Sequence, residues 1–565
     1  MVKLLKGKKV KNMKLYKIST LMLGAALMTV SCNDIDEQAP EGEHLTQDQV
    51  QETNAAIPSR TQATFAGMFN IMAKPYGAYP TSTRADDFGF VMAAISLDAE
   101  GADFFLQDNN YNWFSVCGEW SNRNPNYANP TIRYKIPYTL IGLANDFLAA
   151  LPAETDDPGI INQRGQAHAL RAFGYMALAP YFQFNYQYAK DELCVPLLKE
   201  GTDFTNNPRA TVAEVWDYVL EELNAAIADL QGGTRTTKAY IDQQVAYGLR
   251  ARAYLAMGKY AEAASDAAQA MQCYEPASIA EVSVPAFCQL DEHNWIWGIN
   301  VTQEMVSGNA GYPNSSSWIC AFTGDGYAPA TENTPCINTL LYNKIPATDV
   351  RKGWWLDGNK HSPNWANLTW VDPGDASVFA TGDAIADFET SDGGKTVFQP
   401  YTNIKFGQKS GVGSTINNND WPLMRVEEMI LIQAEGLAKS GNEAQAKQIL
   451  ENFVKTYRDP AYDVTGRGLS LADEIWFQRR VELWGEGFFM SDAKRLNRPV
   501  VRFHGPGSTN EPAAFAFNVA ADDPYMNMRF PQSETNYNLG IVPNKETGTQ
   551  PEAGQNPNLR DGVTD

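Results

Sequence analysis

The stretch from Met424 to Arg495 constrains the chain most, because its apolar spacing suits helices packed in pairs. In RVEEMILIQAEGLAKSGNEAQAKQILENFVKTY, Val426, Met429, Ile430, Ala434, Leu437 and Ala438 recur at intervals of three and four, which is one face of an α-helix. The pattern stops at Ser440 and Gly441 and resumes over residues 443–457, with Ala446, Ile449, Leu450 and Phe453 on one side. The unit reads as an αα-hairpin of about 34 residues, with the small Ala434 at its tight crossing. A third helix follows in DEIWFQRRVELWGEGFFMSDAKRLN, where Arg479 pairs with Glu482 at three residues' spacing and Glu486 stands one turn beyond. Among so many aromatic side chains, these charges are expected to be paired and partly buried.

A second hairpin, VAYGLRARAYLAMGKYAEAASDAAQAM, sets Gly258 at a turn and Ala251, Tyr254, Tyr260, Ala263 and Ala270 on tetratricopeptide positions. There small residues let paired helices touch and tyrosines wedge between them. Thr211 and Glu214 form a capping box ahead of a helix over residues 212–230. Two recognisable and two degenerate repeats predict a mostly α fold of about four tetratricopeptide-like pairs, read as scaffold rather than as a peptide groove. Residues 75–129 and 273–422 lose the helical period and are rich in Asn, Gly and aromatics; only Trp295–Ile299 alternates like a strand. The expected arrangement is one domain over 46–565, with helical repeats within 136–272 and 424–495 and an irregular lobe from 75–129 and 273–422. Long loops in a compact domain are usually functional.

Seven lysines and no acid precede Ser31, and an apolar run from Ile18 to Val30 leads to Cys32. This reads as a signal peptide over 1–31, too short for a permanent membrane helix. Thr29-Val30-Ser31-Cys32 resembles a bacterial lipobox, which makes Cys32 a lipidated first residue. Asp34, Asp36 and Glu37 then begin a flexible acidic tether over 32–45. The formal net charge is −21, and losing the lysine-rich leader makes the remainder more acidic, which argues against a nucleic-acid partner. The other six cysteines lack C-x-x-C spacing, so a zinc cluster is not expected, although some could pair in an oxidising compartment. The five histidines show no metal spacing, and no nucleophile-elbow, phosphate-loop or dinucleotide motif accompanies them. Neither a catalytic residue, a metal ligand nor a cofactor is nominated.

The helical block resembles the C-terminal signature of the SusD/RagB family of bacterial surface nutrient-binding lipoproteins. That signature reads roughly R-x-x-E-x-x-L-x-x-A-E-A, then E-R-R-x-E-L-x-x-E-G-x-R-x-x-D-L-x-R. Arg425, Glu428, Leu431, Ala434 and Glu435 match its first half, and Arg479, Arg480, Glu482, Leu483, Glu486, Gly487, Asp492 and Arg495 its second. Gly436, Gln478, Phe489 and Ala493 depart from it. Tyr138, Ile141, Ala144 and Asn145 resemble a further element of the family, as does the run from Ala167 to Leu178. Cys194-Val195-Pro196-Leu197 resembles the short strand that follows, and Asp349-Val350-Arg351 and Lys405-Phe406 resemble two of its landmarks. The resemblance implies a SusD-like protein on the outer membrane that captures a glycan and passes it to a SusC-like TonB-dependent transporter, without catalysis. A RagB-like peptide binder of the same fold and an α-helical glycoside hydrolase are the alternatives.

The chain carries 13 Trp, most of them outside the helical scaffold. Indole faces stack on the C–H faces of sugars, and nearby Asn and Asp can bond ring hydroxyls. The resemblance places the ligand on loops of the two irregular regions. The expected platforms are Trp113, Trp120, Trp318, Trp354 and Trp365, with Asp86, Asp87 and Asn314 as hydroxyl partners.

Overall fold

Apolar stripes at helical spacing can be buried only against one another, and the hairpins do this in sequence order. In a computed structural model of the protein, helices follow one another as α1 (Pro58–Asn70), α2 (Gly89–Glu100), α3 (Ala128–Ala149), α4 (Pro158–Phe182), α5 (Val212–Asp229), α6 (Gln243–Met257) and α7 (Tyr260–Ala270). After a long excursion come α8 (Val426–Lys439), α9 (Glu443–Tyr457), α10 (Leu471–Glu482) and α11 (Phe489–Leu496). The structure describes residues 58–82, 84, 86–107, 113–152, 154–199, 202–307, 318–324, 334–371, 377–389 and 395–565. Cys32 and Asn314 lie outside these, as do the signal peptide and the tether.

Helices α3 to α10 stack in a row, each packed on its sequence neighbour, and α7 meets α8 directly although the whole second irregular region separates them in sequence. Eight helices are enough for four pairs. Thr211 caps α5 reciprocally with Glu214, and Gly258 ends α6 in the left-handed conformation at φ 76°. At the α7–α8 crossing, a Cβ on Gly436 would lie 2.4 Å from the Tyr260 carbonyl oxygen. This explains why glycine stands there and moves the tightest crossing away from Ala434. Ala434 packs instead in the α8–α9 seam with Leu431, Leu450 and Phe453.

The second irregular region leaves and re-enters the scaffold through an antiparallel pair, Trp295–Ile299 against Trp421–Arg425. Trp295–Ile299 is buried throughout rather than alternating. The excursion carries its own small core, including Phe322, Leu356, Trp365, Trp370, Ile385 and Phe398. The first irregular region contains α2, which its sequence does not announce. This helix is buried on nearly every side, with Phe90, Val91, Met92, Ile95 and Ala99 inside, so it has no polar face to mark a period.

Charged residues lock the lobe to the scaffold. Glu482 accepts from Arg458 Nε at 2.8 Å, Arg425 Nη1 at 3.1 Å and Arg351 Nη1 at 3.2 Å. Glu427 pairs with Arg425 and Arg458, Glu486 with Arg425 and Lys405, and Asp349 with Arg351. Four cations thus face four carboxylates, all buried. Arg479 does not pair with Glu482 as its spacing suggests. It reaches Asp492 at 2.8 Å on the following helix, because Glu482 is already enclosed by three arginines. Pairing and burial are therefore more complete than expected, with other partners. None of the six described cysteines forms a disulfide, and five are buried.

Candidate functional site

The two irregular regions meet. Phe104 and Phe105 pair antiparallel with Ile337 and Cys336, and the Asn338 N–H donates to the Asp103 carbonyl at 3.0 Å. The Phe114 ring stands edge-on to Trp318 at 4.8 Å. The C-terminal stretch joins them, since Arg502 donates to the carbonyls of Gly101 and Glu100, and Phe515 packs with Phe105 and Cys336. Sequence patterning did not assign this C-terminal stretch to the lobe.

Four of the five expected platforms are core residues. Trp120, Trp318, Trp354 and Trp365 are each 0% exposed. Trp120 donates to the Glu100 carbonyl at 2.9 Å and is covered by the Arg123 guanidinium at 4.1 Å. Trp354 donates to the Val282 carbonyl at 2.8 Å and lies under Lys405 at 4.9 Å. Trp365 donates to Asp383 at 2.8 Å and packs on Phe398. A stacking ligand needs an accessible indole face, and these four present none. They fill a lobe with little regular structure, where large rigid rings replace the packing that helices supply elsewhere.

Trp113 is different. It is partly exposed, and the Arg84 guanidinium stacks over its ring at 4.5 Å and lies 5.8 Å from the Tyr79 ring. Arg84 is held in plane by Asp86, to which Nε and Nη2 donate at 3.0 and 2.9 Å. Asp87 accepts from the N–H groups of Ala78 and Tyr79, the latter at 2.8 Å, and so fixes the turn that carries Tyr79. Burial pushes the Asp86 carboxyl up from the usual carboxylate range, against the opposing pull of Arg84. Burial likewise raises Asp87, with its two backbone hydrogen bonds opposing.

Both carboxylates are buried, 2% and 0% exposed, so they orient the cluster and do not reach for hydroxyl groups themselves. The structure therefore brings three expected residues together, Asp86, Asp87 and Trp113, but gives the two acids a supporting place. The accessible groups are Tyr79, Arg84 and Trp113. Tyr79 and Arg84 were missed, although the run Arg84-x-Asp86-Asp87 in an aperiodic stretch was a signal for them. Such a cluster offers partly exposed aromatic rings beside an oriented guanidinium, a combination that suits a sugar ring.

Comparison with known proteins supplies the wider setting. A family model described as "SusD family" matches residues 361–558, and one described as "Starch-binding associating with outer membrane" matches residues 61–255. No curated protein matches the chain. Among solved structures, a SusD-like carbohydrate binding protein from Bacteroides vulgatus is 22% identical, with a TM-score of 0.66 over 86% of this chain and 97% of that one. A SusD superfamily protein from Bacteroides thetaiotaomicron is 19% identical, with a TM-score of 0.64 over 86% and 99%. A SusD-like carbohydrate binding protein from Bacteroides fragilis is 16% identical, with a TM-score of 0.58 over 86% and 99%. At these identities the structures speak to the fold, and the two family models speak to the sequence over residues 61–255 and 361–558. By the two family models the chain belongs to the SusD/RagB family.

Proposed function

We propose that the protein is an outer-membrane lipoprotein, anchored through Cys32, that captures a neutral oligosaccharide and delivers it to a SusC-like TonB-dependent transporter without cleaving it. The observation that carries this reading is the partly exposed Tyr79–Arg84–Trp113 cluster in the first irregular region. Support comes from the starch-binding description of the family model over residues 61–255 and from the carbohydrate-binding relative in Bacteroides vulgatus. A neutral ligand follows from charge, because a formal net charge of −21 repels polyanions. Among the described residues no helix is long and apolar enough to cross a membrane, which leaves the lipid as the anchor in this reading.

Affinity electrophoresis against a polysaccharide panel, with product analysis of the same incubations, tests the proposal. Retardation by a neutral polysaccharide without shortened products is expected. Release of oligosaccharides would make the protein a hydrolase, and retardation by sulfated glycans that collapses with salt would remove the neutral-ligand reading. Detergent partitioning tests the anchor, since Cys32→Ala should move the protein wholly to the aqueous phase.

A further inference from the structure

Among the described residues four aromatic ones hold a left-handed backbone: Tyr76 at φ 53°, Trp120 at 57°, Phe287 at 55° and Tyr401 at 68°. A bulky side chain is unfavourable there, and the conformation persists only where the surroundings impose it. For three of them packing supplies the reason. Trp120 and Phe287 are buried, the first with its Nε1–H on the Glu100 carbonyl and the second against Trp354, and Tyr401 packs on Tyr342. Tyr76 is partly exposed, and among the described residues its hydroxyl makes no hydrogen bond and its ring meets neither another ring nor a cation. Its neighbours Tyr79 and Trp113 lean on the hydrophobic core, and Tyr76 does not.

The backbone around Tyr76 is fixed from several sides. Its N–H donates to the Asp87 carbonyl at 2.8 Å, and the Ala78 and Tyr79 N–H groups donate to the Asp87 carboxylate at 3.1 and 2.8 Å. Lys135 Nζ donates to the Ala78 carbonyl at 2.8 Å, and Pro75 bridges to Phe88. Glycine, which would relieve the left-handed turn, stands one place later at Gly77, where a Cβ would lie 2.7 Å from Ile136 Cδ1. The strain at Tyr76 is thus imposed by hydrogen bonds of the backbone, and its side chain makes none of the contacts that would justify it in the packing. Strain of that kind is stored at functional sites.

We infer that Tyr76 is a further ligand-contacting residue of the Tyr79–Arg84–Trp113 site, its ring lying against the sugar and its phenol bonded to a sugar hydroxyl. The assignment rests on that cluster being the glycan site. Asp86 and Asp87 are buried and already engaged, and the Arg84 guanidinium only donates. A phenol both donates and accepts, so Tyr76 offers sugar hydroxyl hydrogens an acceptor that Arg84 lacks. Burial and the neighbouring Asp87 carboxylate push the Tyr76 phenol up, so it keeps its own proton to donate at neutral pH.

Calorimetric titration of the purified full chain with neutral polysaccharides, with Tm recorded for each protein, tests the assignment on Tyr76→Asn and Tyr76→Phe. Asparagine adopts the left-handed region more readily than tyrosine, so Tyr76→Asn should keep or raise Tm. Losing both ring and hydroxyl, it should bind about tenfold more weakly or worse. Tyr76→Phe keeps the ring and the strain, and the loss of one neutral hydrogen bond should weaken binding about fivefold at an unchanged Tm. The assignment is overturned if Tyr76→Asn binds as the wild type does, which leaves the cluster itself standing as the glycan site. It is also overturned if Tyr76→Asn lowers Tm, because the ring would then be supporting the fold. Absence of binding by the wild type to every neutral polysaccharide would remove the glycan reading and this assignment with it.

Discussion

A tryptophan's role depends on which way its ring faces, and composition does not record that. Trp354 is enclosed by Val282, Phe287 and Lys405, whereas Trp113 keeps part of its surface in water. Trp354→Ala should therefore cost about 3–5 kcal/mol in chemical denaturation, and Trp113→Ala much less. The buried charges behave oppositely to surface pairs. Glu482→Ala would leave Arg351, Arg425 and Arg458 without their shared carboxylate, and a loss of about 3–5 kcal/mol is expected. Burial alone would raise the Glu482 carboxyl, but Arg458, Arg425 and Arg351 outweigh it and hold it well below the ordinary glutamate value of 4.5. A folded-state value below the unfolded one means that this stabilisation is fully present above pH 4.5 and is lost as pH falls through the folded value. Urea midpoints measured from pH 7 downward should decline below that point, and the decline should flatten in Glu482→Gln, which has no such proton to take up.

At the scale of elements, Gly436→Ala separates propensity from packing. Alanine favours a helix interior by about 1 kcal/mol over glycine. Here the added Cβ meets the Tyr260 carbonyl oxygen at 2.4 Å and the Ala264 Cβ at 3.0 Å, both fixed by α7. Overpacking of about 1–3 kcal/mol should win, and a lower Tm for the variant would show it. The helices with one polar face were legible in the sequence: α9 spans Glu443–Tyr457 as its spacing indicates, and the α5 cap is formed by Thr211 and Glu214. Helix α2 was not legible, because a helix buried all round has no amphipathic period. The partners of Arg479 were not legible either, since spacing along one helix says nothing about the arginines that reach Glu482 from the strand before α8, from the end of α9 and from the lobe.

At the scale of the whole molecule, a stack of helices supports a lobe tied down by buried ion pairs, and the accessible aromatic cluster lies in the first of the lobe's two sequence regions. That the two regions would converge was readable from the resemblance to SusD-like proteins. Which side chains would remain in water was not, because it depends on the packing of all the others. Calorimetric titration of a neutral polysaccharide into the wild type and Trp113→Ala, with Tm recorded for each, tests whether the exposed cluster is the glycan platform. Saturable binding is expected from the wild type, and binding at least tenfold weaker from a Trp113→Ala protein whose Tm is nearly unchanged. Equal binding by the two proteins, or no heat from any neutral polysaccharide with the wild type, would contradict it.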